Sequence, residues 1–412
     1  MSVPAPAELL RSFSQTVPLR AIRAALQATG KQGHRHRALP SVLVVQLAIC
    51  LGLLRDVASR QVLAYLLPAG KPLPGKQSIS RARYRVGARP LMALFARVAR
   101  CLATPGSLPQ AFHRGLRLMA VDATKADLPD TPANVKVFGR PKASRGRSGF
   151  PQAKIVALLE IGTHAIVDLL VRPHRRHELS AGLKLIERSV REGMLVLWDR
   201  GFHGFKTLEA ILKQRAHFLG RVKSNTILTP VQRFADGSFL ADVYPSWTAR
   251  RHNAGALRVR VVEYRVGQAE TIRLATSLLD PELDPALTLA TLYHQRWELE
   301  LVFDEIKTHQ LGRPNGQKVA IRAQAPAGAV QEIYALALAH YVVRTLMAAS
   351  AARAAIDPDR LSFKNALAIV RRHLPELAAA SGRRLPPLCL ASSTKSPAND
   401  CPRAAHAATS AA

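Results

Sequence analysis

Residues 293–307 read YHQRWELELVFDEIK. Tyr293, Arg296, Glu300 and Lys307 follow one another in this stretch at intervals of three, four and seven residues. Because an α-helix turns about 100° per residue, these four side chains fall within roughly 60° of one another. The apolar residues of the stretch form an adjoining arc. The pattern therefore predicts a half-buried helix that holds one carboxylate between two cations and a phenol.

Two interpretations of this polar stripe are open. It is either a solvated helix face with ordinary Glu–Lys pairing or one wall of a functional cleft. On the helical wheel Glu298 and Glu305 lie roughly 140° or more from Glu300, so Glu300 is the carboxylate of the stripe. Asp304 lies only about 40° from Glu300 and could replace it as a ligand or orient Lys307.

The charge of the chain points to its partner. The 412 residues carry a formal net charge of +31, and the sequence pI is about 11.2. Lys and Arg side chains that contact phosphates release counterions, so this balance favours a polyanion, with nucleic acid as the leading candidate. The alternative is that part of the Arg excess is incidental. The length itself favours two or more domains.

The cysteines and the longest apolar run indicate a cytosolic protein. Cys50, Cys101, Cys389 and Cys401 lie far apart without metal-ligand spacing, so we expect reduced thiols. The apolar run at residues 42–54 is too short to span a bilayer and is expected to be a buried helix.

The first part of the chain, up to about residue 102, has the pattern of a small all-helical module. Arg81, Arg83 and Arg85 occupy a short basic segment that Ser78 can cap. Such a segment suits DNA docking in the helix-turn-helix manner, and a helical domain with a solvated basic face is the alternative.

The middle of the chain changes to strands, two of which end in an aspartate. Residues 116–121 lead to Asp122, and the apolar strand MLVLW at residues 194–198 leads to Asp199. Further strands and helices around them predict a mixed α/β sheet. A strand-rich segment at residues 226–279 separates Asp199 from the Tyr293 stretch, and long helices follow at residues 329–350 and 361–374.

Asp122, Asp199 and Glu300 form the candidate catalytic constellation. Three carboxylates that converge raise one another's pKa unless cations neutralise them. Mg²⁺ accepts oxygen ligands, and two such ions about 4 Å apart can hold both oxygens of an in-line phosphoryl transfer. The implied chemistry is DNA cleavage or strand transfer. By contrast His174, His177 and Glu178 lack the spacing of a helical zinc motif, and we assign them to a loop surface.

The chain resembles the DDE transposases of the bacterial insertion-sequence-four family. Their hallmark is the Tyr, Arg, Glu, Lys spacing, found here without a gap at Tyr293, Arg296, Glu300 and Lys307. MAVDAT around Asp122 and WDRGF around Asp199 are similar to the two aspartate regions of that family. FLGRVKSN is similar to the strand after the second aspartate, and the resemblance extends over residues 17–374.

The resemblance implies a fold and roles for particular residues. The fold is an RNase H-like mixed-sheet α/β core interrupted by a β-strand insertion, with an N-terminal all-helical domain and C-terminal helices. Its carboxylates would bind two Mg²⁺ ions, with Mn²⁺ as a substitute; Asp122 would bridge both ions, and Asp199 and Glu300 would each favour one. Phosphates of the transposon end would be contacted by Tyr293, Arg296 and Lys307. Arg221 and Lys223, on the strand after the second aspartate, either also face DNA or belong to a solvated strand end.

The three tryptophans are candidates for base stacking or for core packing. In relatives that form a DNA hairpin, an aromatic side chain of the insertion stacks on a flipped base, and Trp247 is the candidate here. Packing in the core is the alternative, which we favour for Trp247 and also expect for Trp198 and Trp297.

The predicted protein is a transposase that binds terminal inverted repeats, cleaves both strands and joins them to target DNA. A non-catalytic DNA-binding relative and a structure-selective nuclease are the alternatives. We expect duplex DNA as partner, a homodimer in the DNA complex, no membrane, and a cytoplasmic, nucleoid-associated location. The expected domains are residues 1–110 (helical, DNA-binding), 111–225 (core), 226–279 (insertion), 280–350 (core with the signature helix), 351–390 (helical) and 391–412 (a disordered tail).

Overall fold

The computed structural model describes residues 15–381, except residues 34, 36, 69, 144–145, 148, 266–270 and 312–320. A large mixed β-sheet lies at its centre, and helices cover both faces. The expected tail, together with Cys389 and Cys401, lies outside the described residues. Cys50 and Cys101 are free thiols, as predicted.

The central sheet begins with the elements that deliver the two aspartates. Its strand order is β6-β5-β2-β7-β8, with β5 antiparallel to both β2 and β6, and β7 parallel to both β2 and β8. This order confirms the RNase H-like core. The strands of this part are β1 (Phe112–His113), β2 (Leu116–Asp127), β5 (Gln152–Glu160), β6 (Ala165–Pro173), β7 (Met194–Trp198) and β8 (His217–Arg221). Strands β3 (Lys142–Ala143) and β4 (Gly146–Arg147) form a separate two-stranded sheet.

The strand-rich insertion continues the same sheet. Its last strand pairs antiparallel with β8, with Leu274 opposite Arg221, and the order then runs β12-β11-β10-β9 to the far edge. Insertion and core therefore share one hydrogen-bonded sheet. The insertion strands are β9 (Pro230–Arg233), β10 (Phe239–Val243), β11 (Leu257–Tyr264) and β12 (Ile272–Thr276).

Alternating side chains of β2 divide the interior into two layers. Leu118 and Ala120 pack in a core shared with the N-terminal helices and the long C-terminal helix. Met119 and Val121 face the other core, under two helices that follow β6 and β7. Since successive strand residues point to opposite faces, Asp122 belongs to the face of Leu118 and Ala120.

The helices form both layers. Gly52 lets the helix Ser41–Leu53 approach the helix Pro326–Ala354 closely, since a Cβ at Gly52 would lie 2.8 Å from the carbonyl oxygen of Ala335. The helices are α1 (Leu19–Ala28), α2 (Ser41–Leu53), α3 (Ser59–Leu66), α4 (Lys76–Val86), α5 (Arg89–Val98), α6 (Pro132–Phe138), α7 (Glu178–Ser189), α8 (Phe205–Lys213), α9 (Trp247–Arg251), α10 (Ala286–His294), α11 (Glu298–Asp304), α12 (Pro326–Ala354) and α13 (Phe363–Ser381).

Helix α12 is the central support of the helical layer. It is long and apolar enough to cross a membrane by length and composition alone, but 72% of its most apolar window is buried inside the molecule. Helices α2, α5 and α13 all pack against it. The segment around residues 42–54 is a buried helix, as predicted.

Candidate active site

The stretch at residues 293–307 is helical throughout but changes its pitch. Helix α10 passes into a 3-10 turn at Gln295–Trp297, then into α11, and ends in a π-helical turn at Glu305–Gln310. The expected single regular helix was therefore wrong in detail. A π turn places one more residue in each turn, and such turns occur frequently at functional sites.

Asp122 and Asp199 lie side by side at one edge of the sheet. Strands β2 and β7 are parallel neighbours, with Val121 directly opposite Trp198. The next residue along the chain is an aspartate in both cases, and neighbouring strands lie about 4.8 Å apart. The sheet thus brings together two carboxylates that are 77 residues apart in the chain.

Arg296 links this pair to the helix. One guanidinium nitrogen lies 3.8 Å from Asp122 Oδ2, and another lies 3.7 Å from Glu300 Oε1. The Arg296 side chain is only 8% exposed, whereas the Glu300 side chain is 52% exposed. A single buried cation therefore stands between a strand-end carboxylate and a helix carboxylate that faces solvent.

The environment of Asp122 disfavours the charged form of its carboxyl group. Burial raises the pKa of Asp122 to about 6, and the charges of Asp199 and Glu178 add to this effect. The Ala123 amide, which donates to Asp122 Oδ1 at 2.7 Å, and the charge of Arg296 act in the opposite direction. Hard carboxylate oxygens that are incompletely neutralised suit a divalent cation such as Mg²⁺.

Glu178 is a neighbour that the sequence interpretation did not assign to this site. It is the first residue of α7, and its Oε1 lies against Gly201, where a Cβ would come within 2.5 Å of that oxygen. Gly201 follows Asp199 by two residues. The sequence signal was a strand followed by Glu178 at a helix start, but no local spacing connected it to Asp122.

Tyr293 is turned inward. It is 4% exposed, and its hydroxyl donates to the backbone carbonyl oxygen of Trp198 at 3.3 Å. Burial raises the pKa of Tyr293 well above its usual range. The hydroxyl thus bonds to the residue just before Asp199, and the expected contact with a DNA phosphate stays a prediction.

The other predicted cations lie around the same edge. Lys307 is exposed and within electrostatic reach of Asp122. Tyr264 is within electrostatic reach of both Arg221 and Arg296, which places the end of β8 near the site. Lys223 is exposed just beyond β8. Their contacts with DNA stay predictions.

Two tryptophans differ from expectation. Trp247 is 65% exposed at the start of α9, so the favoured interpretation of core packing was wrong, and its role in base stacking stays a prediction. Trp297 is 56% exposed beside Arg296, so its expected packing was also wrong. Its 3-10 turn lies at the protein surface and points the indole outward. Trp198 is fully buried, as expected.

A second charged cluster lies behind the signature helix. His164 Nε2 lies 3.3 Å from Glu298 and 3.2 Å from Asp359, and the three residues have the spacing of a possible metal site. Arg344 donates to the other ring nitrogen of His164. His164 Nε2 faces both carboxylates without forming a hydrogen bond. These contacts join α11 to its neighbours, and we call the cluster of His164, Glu298 and Asp359 the clasp. We had not predicted it.

The fold, with Asp122 and Asp199 at one edge of the sheet and Arg296 between Asp122 and Glu300, is that of a DDE transposase. The family model described as "Transposase DDE domain" matches residues 113–342, and "Insertion element 4 transposase N-terminal" matches residues 7–96. The first model covers more than half of the chain. The chain therefore belongs to the DDE transposase family, as its resemblance to insertion-sequence transposases implied.

Individual relatives agree with this assignment. "Transposase InsG for insertion sequence element IS4" of Escherichia coli K12 is 26% identical over 375 residues, which are 88% of this chain and 82% of that protein. "Putative transposase InsZ" of the same organism is 27% identical over 192 residues, 46% of this chain and 64% of that protein.

A solved structure shares the fold. The piggyBac transposase in a synaptic complex with hairpin DNA superimposes with a TM-score of 0.52. The alignment covers 92% of this chain and 81% of that chain, at 11% sequence identity. At that identity the likeness supports the fold alone.

Proposed function

We propose that this transposase binds the terminal inverted repeats of an insertion sequence, cleaves the ends and joins them to target DNA. The observation that carries the proposal is the bridge formed by Arg296 between Asp122 and Glu300, with Asp199 on the neighbouring strand. It supports one reaction centre built from two strand ends and one helix.

Asp122, Asp199 and Glu300 would hold two Mg²⁺ ions. The carboxylate oxygens of these three residues are the hard ligands that such ions prefer, and burial raises the pKa of Asp122 where no cation is bound. Bound Mg²⁺ would supply Lewis-acid activation of a phosphate and of an attacking oxygen. The protein itself contributes position, because the sheet fixes both aspartates and the clasp at Glu298 fixes the helix that carries Glu300.

Positive side chains around the carboxylates would orient the DNA. Arg296 and Lys307 would stabilise charge on the phosphate that reacts. Arg221 and Lys223 would hold the backbone further along, and Trp247 would stack on an unpaired base. Its 65% exposure leaves the indole accessible for such a contact.

The N-terminal helices would add contacts to the ends. In α4, Arg83 donates to the Gln331 side chain and Arg85 donates to the Leu39 carbonyl oxygen, while Arg81 is exposed. Arg81 is thus the side chain of that basic segment best placed for DNA. The active assembly would be a homodimer on paired ends, working in the cytoplasm on nucleoid DNA.

The test uses purified protein and a DNA fragment that carries the element's own ends. We expect Mg²⁺-dependent cleavage of that fragment that is lost in Asp122→Ala, Asp199→Ala and Glu300→Ala. Glu192→Ala, a change at an exposed carboxylate outside the three, serves as the comparison. Cleavage that survives all three alanine changes contradicts the assignment. Cutting of branched DNA regardless of end sequence would indicate a structure-selective nuclease instead.

A further inference from the structure

Three cations lie in a row across neighbouring strands on the face of the sheet opposite Glu300. Lys125 of β2 is directly opposite Lys154 of β5, and Lys154 is directly opposite Arg172 of β6. Side chains opposite each other in a sheet have Cβ atoms about 4.5–5.5 Å apart, and like charges in these positions are destabilising. We call Lys125, Lys154 and Arg172 the cation row.

The cation row is not neutralised by nearby carboxylates. Within the part of the chain that the structure describes, none of its three side chains forms a salt bridge. Lys154 Nζ donates instead to the carbonyl oxygen of Arg176 at 2.9 Å. Burial and the charges of Lys125 and Lys154 all lower the pKa of His174, which disfavours its charged form. Because like charges in opposite positions repel one another, a ligand with negative charge would stabilise the cation row.

Further cations extend the row into a cleft. A cavity of about 620 Å³ is lined by Arg140, Lys154, His174, Arg175, Arg176, His177 and Glu178. The Arg175 side chain lies against Gly139, where a Cβ would come within 2.8 Å of Nε. Arg140 is paired with Asp130, so Arg175 and Arg176 are the guanidinium groups of this wall that match the phosphodiester backbone of DNA.

The cleft also leads to the reaction centre. Glu178 lines the cleft at one end and lies within electrostatic reach of Asp122. Lys125 belongs to the same face as Met119 and Val121, whereas Asp122 belongs to the opposite face. DNA in the cleft would thus approach the carboxylates from the other side of the sheet than DNA held by Arg296.

We propose that the cation row and its cleft bind the phosphate backbone of a second segment of duplex DNA. This segment would lie beside the end held at the three carboxylates, and the inference rests on the proposed function. Joining requires two DNA segments at one centre, so a second basic surface that reaches the same edge has a clear use. The segment is either target DNA or the DNA that flanks the uncut end.

The first test measures binding to duplex DNA without the end sequence. The variant K125Q/K154Q/R172Q is compared with K184Q/R191Q/K213Q, which removes the same charge from exposed positions on and beside α7 and α8. Each phosphate contact contributes about 0.9 to the slope of log K against log salt concentration. If the row contacts three phosphates, this slope should become shallower by about 2.7 in the first variant. Equal slopes in both variants overturn the proposal.

The second test identifies the source of the DNA. A loss of joining relative to end cleavage, about 10-fold or more, with a pre-cut end and a target plasmid indicates target DNA. A loss of cleavage confined to ends with a long flank indicates flanking DNA. The proposal fails if the row variant and the control variant have the same ratio of joining to end cleavage and also the same ratio of cleavage on long-flank ends to cleavage on short-flank ends. If wild-type protein cuts no DNA, the proposed function fails, and the salt dependence still tests the row.

Folding is checked separately by thermal unfolding. Removing like charges that face one another is expected to leave the melting temperature unchanged or to raise it. A lower melting temperature, together with a salt dependence equal to that of the control, indicates a structural role and also overturns the proposal.

Discussion

Glu305 and Arg344 form a buried ion pair that ties the signature helix to α12. Arg344 Nε lies 3.0 Å from Glu305 Oε2, and His340 Nε2 lies 2.8 Å from the same oxygen. Burial alone would raise the pKa of Glu305, but the imidazoles of His164 and His340 and the charge of Arg344 hold it well below its usual range. Glu305 is therefore charged and anchored, five residues from the exposed Glu300.

We expect Glu305→Gln to lower the stability of the protein and Glu300→Gln to abolish DNA cleavage with little effect on stability. Glu305→Gln leaves Arg344 buried without its counter-charge and should lower the free energy of unfolding by about 3–5 kcal/mol. Glu300→Gln changes a half-exposed side chain and should alter it by less than about 0.5 kcal/mol, while DNA cleavage is lost. Denaturant unfolding and a cleavage assay on both proteins measure this. Similar losses of stability in the two variants would contradict the assignment.

Asp122→Asn should stabilise the metal-free protein at neutral pH. Because the pKa of Asp122 rises to about 6 on folding, the folded state binds more protons between pH 4 and 6, and stability falls as pH rises through this window. Asparagine removes that penalty, so the variant should gain about 2–3 kcal/mol at pH 7.5 and nothing near pH 3. Thermal unfolding with a chelator at both pH values measures the gain. A gain that is independent of pH would refute the explanation.

Gly220→Ala should disturb the support of Asp199. A Cβ on Gly220 would lie 2.0 Å from the Trp198 ring, and Trp198 immediately precedes Asp199. Overpacking of this kind costs about 1–3 kcal/mol, and cleavage should fall with it. Gly106→Ala is the matched control, since nothing lies within 4 Å of its Cβ position. The melting temperatures of the two variants decide the matter, and equal values would exclude this close packing as a constraint.

Trp247→Ala should separate stability from DNA chemistry. The exposed indole adds little to folding, so the melting temperature should stay within a degree or two of wild type. If a base stacks there, the variant should lose about 1–3 kcal/mol of affinity for DNA with an unpaired base. Trp247→Phe should keep most of it. Fluorescence titration with matched paired and unpaired DNA gives both values, and an unchanged preference would argue against stacking.

Strands and helices with a strong local pattern could be predicted from the sequence. The strand Met194–Trp198 has the expected bounds, because its apolar run ends at Asp199 and a glycine-containing turn. Strand β2 runs beyond the expected residue 121 to Asp127, since pairing with β5 extends it through a polar segment. Strand β9 was missed because it begins at Pro230 and its four residues are exposed.

Only part of the candidate site could be predicted from the sequence. Asp122, Asp199 and Glu300 could be found because each ends or lies on an element with a clear pattern. Glu178 and the clasp at His164 depend on contacts between residues more than 50 positions apart, which no local pattern encodes. The inward turn of Tyr293 likewise depends on the carbonyl oxygen of Trp198, 95 residues away.

The shared sheet of core and insertion has a mechanical consequence. Because β12 is hydrogen-bonded to β8, the insertion cannot swing on a hinge over the carboxylates without breaking main-chain hydrogen bonds. The insertion that carries Trp247 and the core that carries Asp199 therefore behave as one rigid unit.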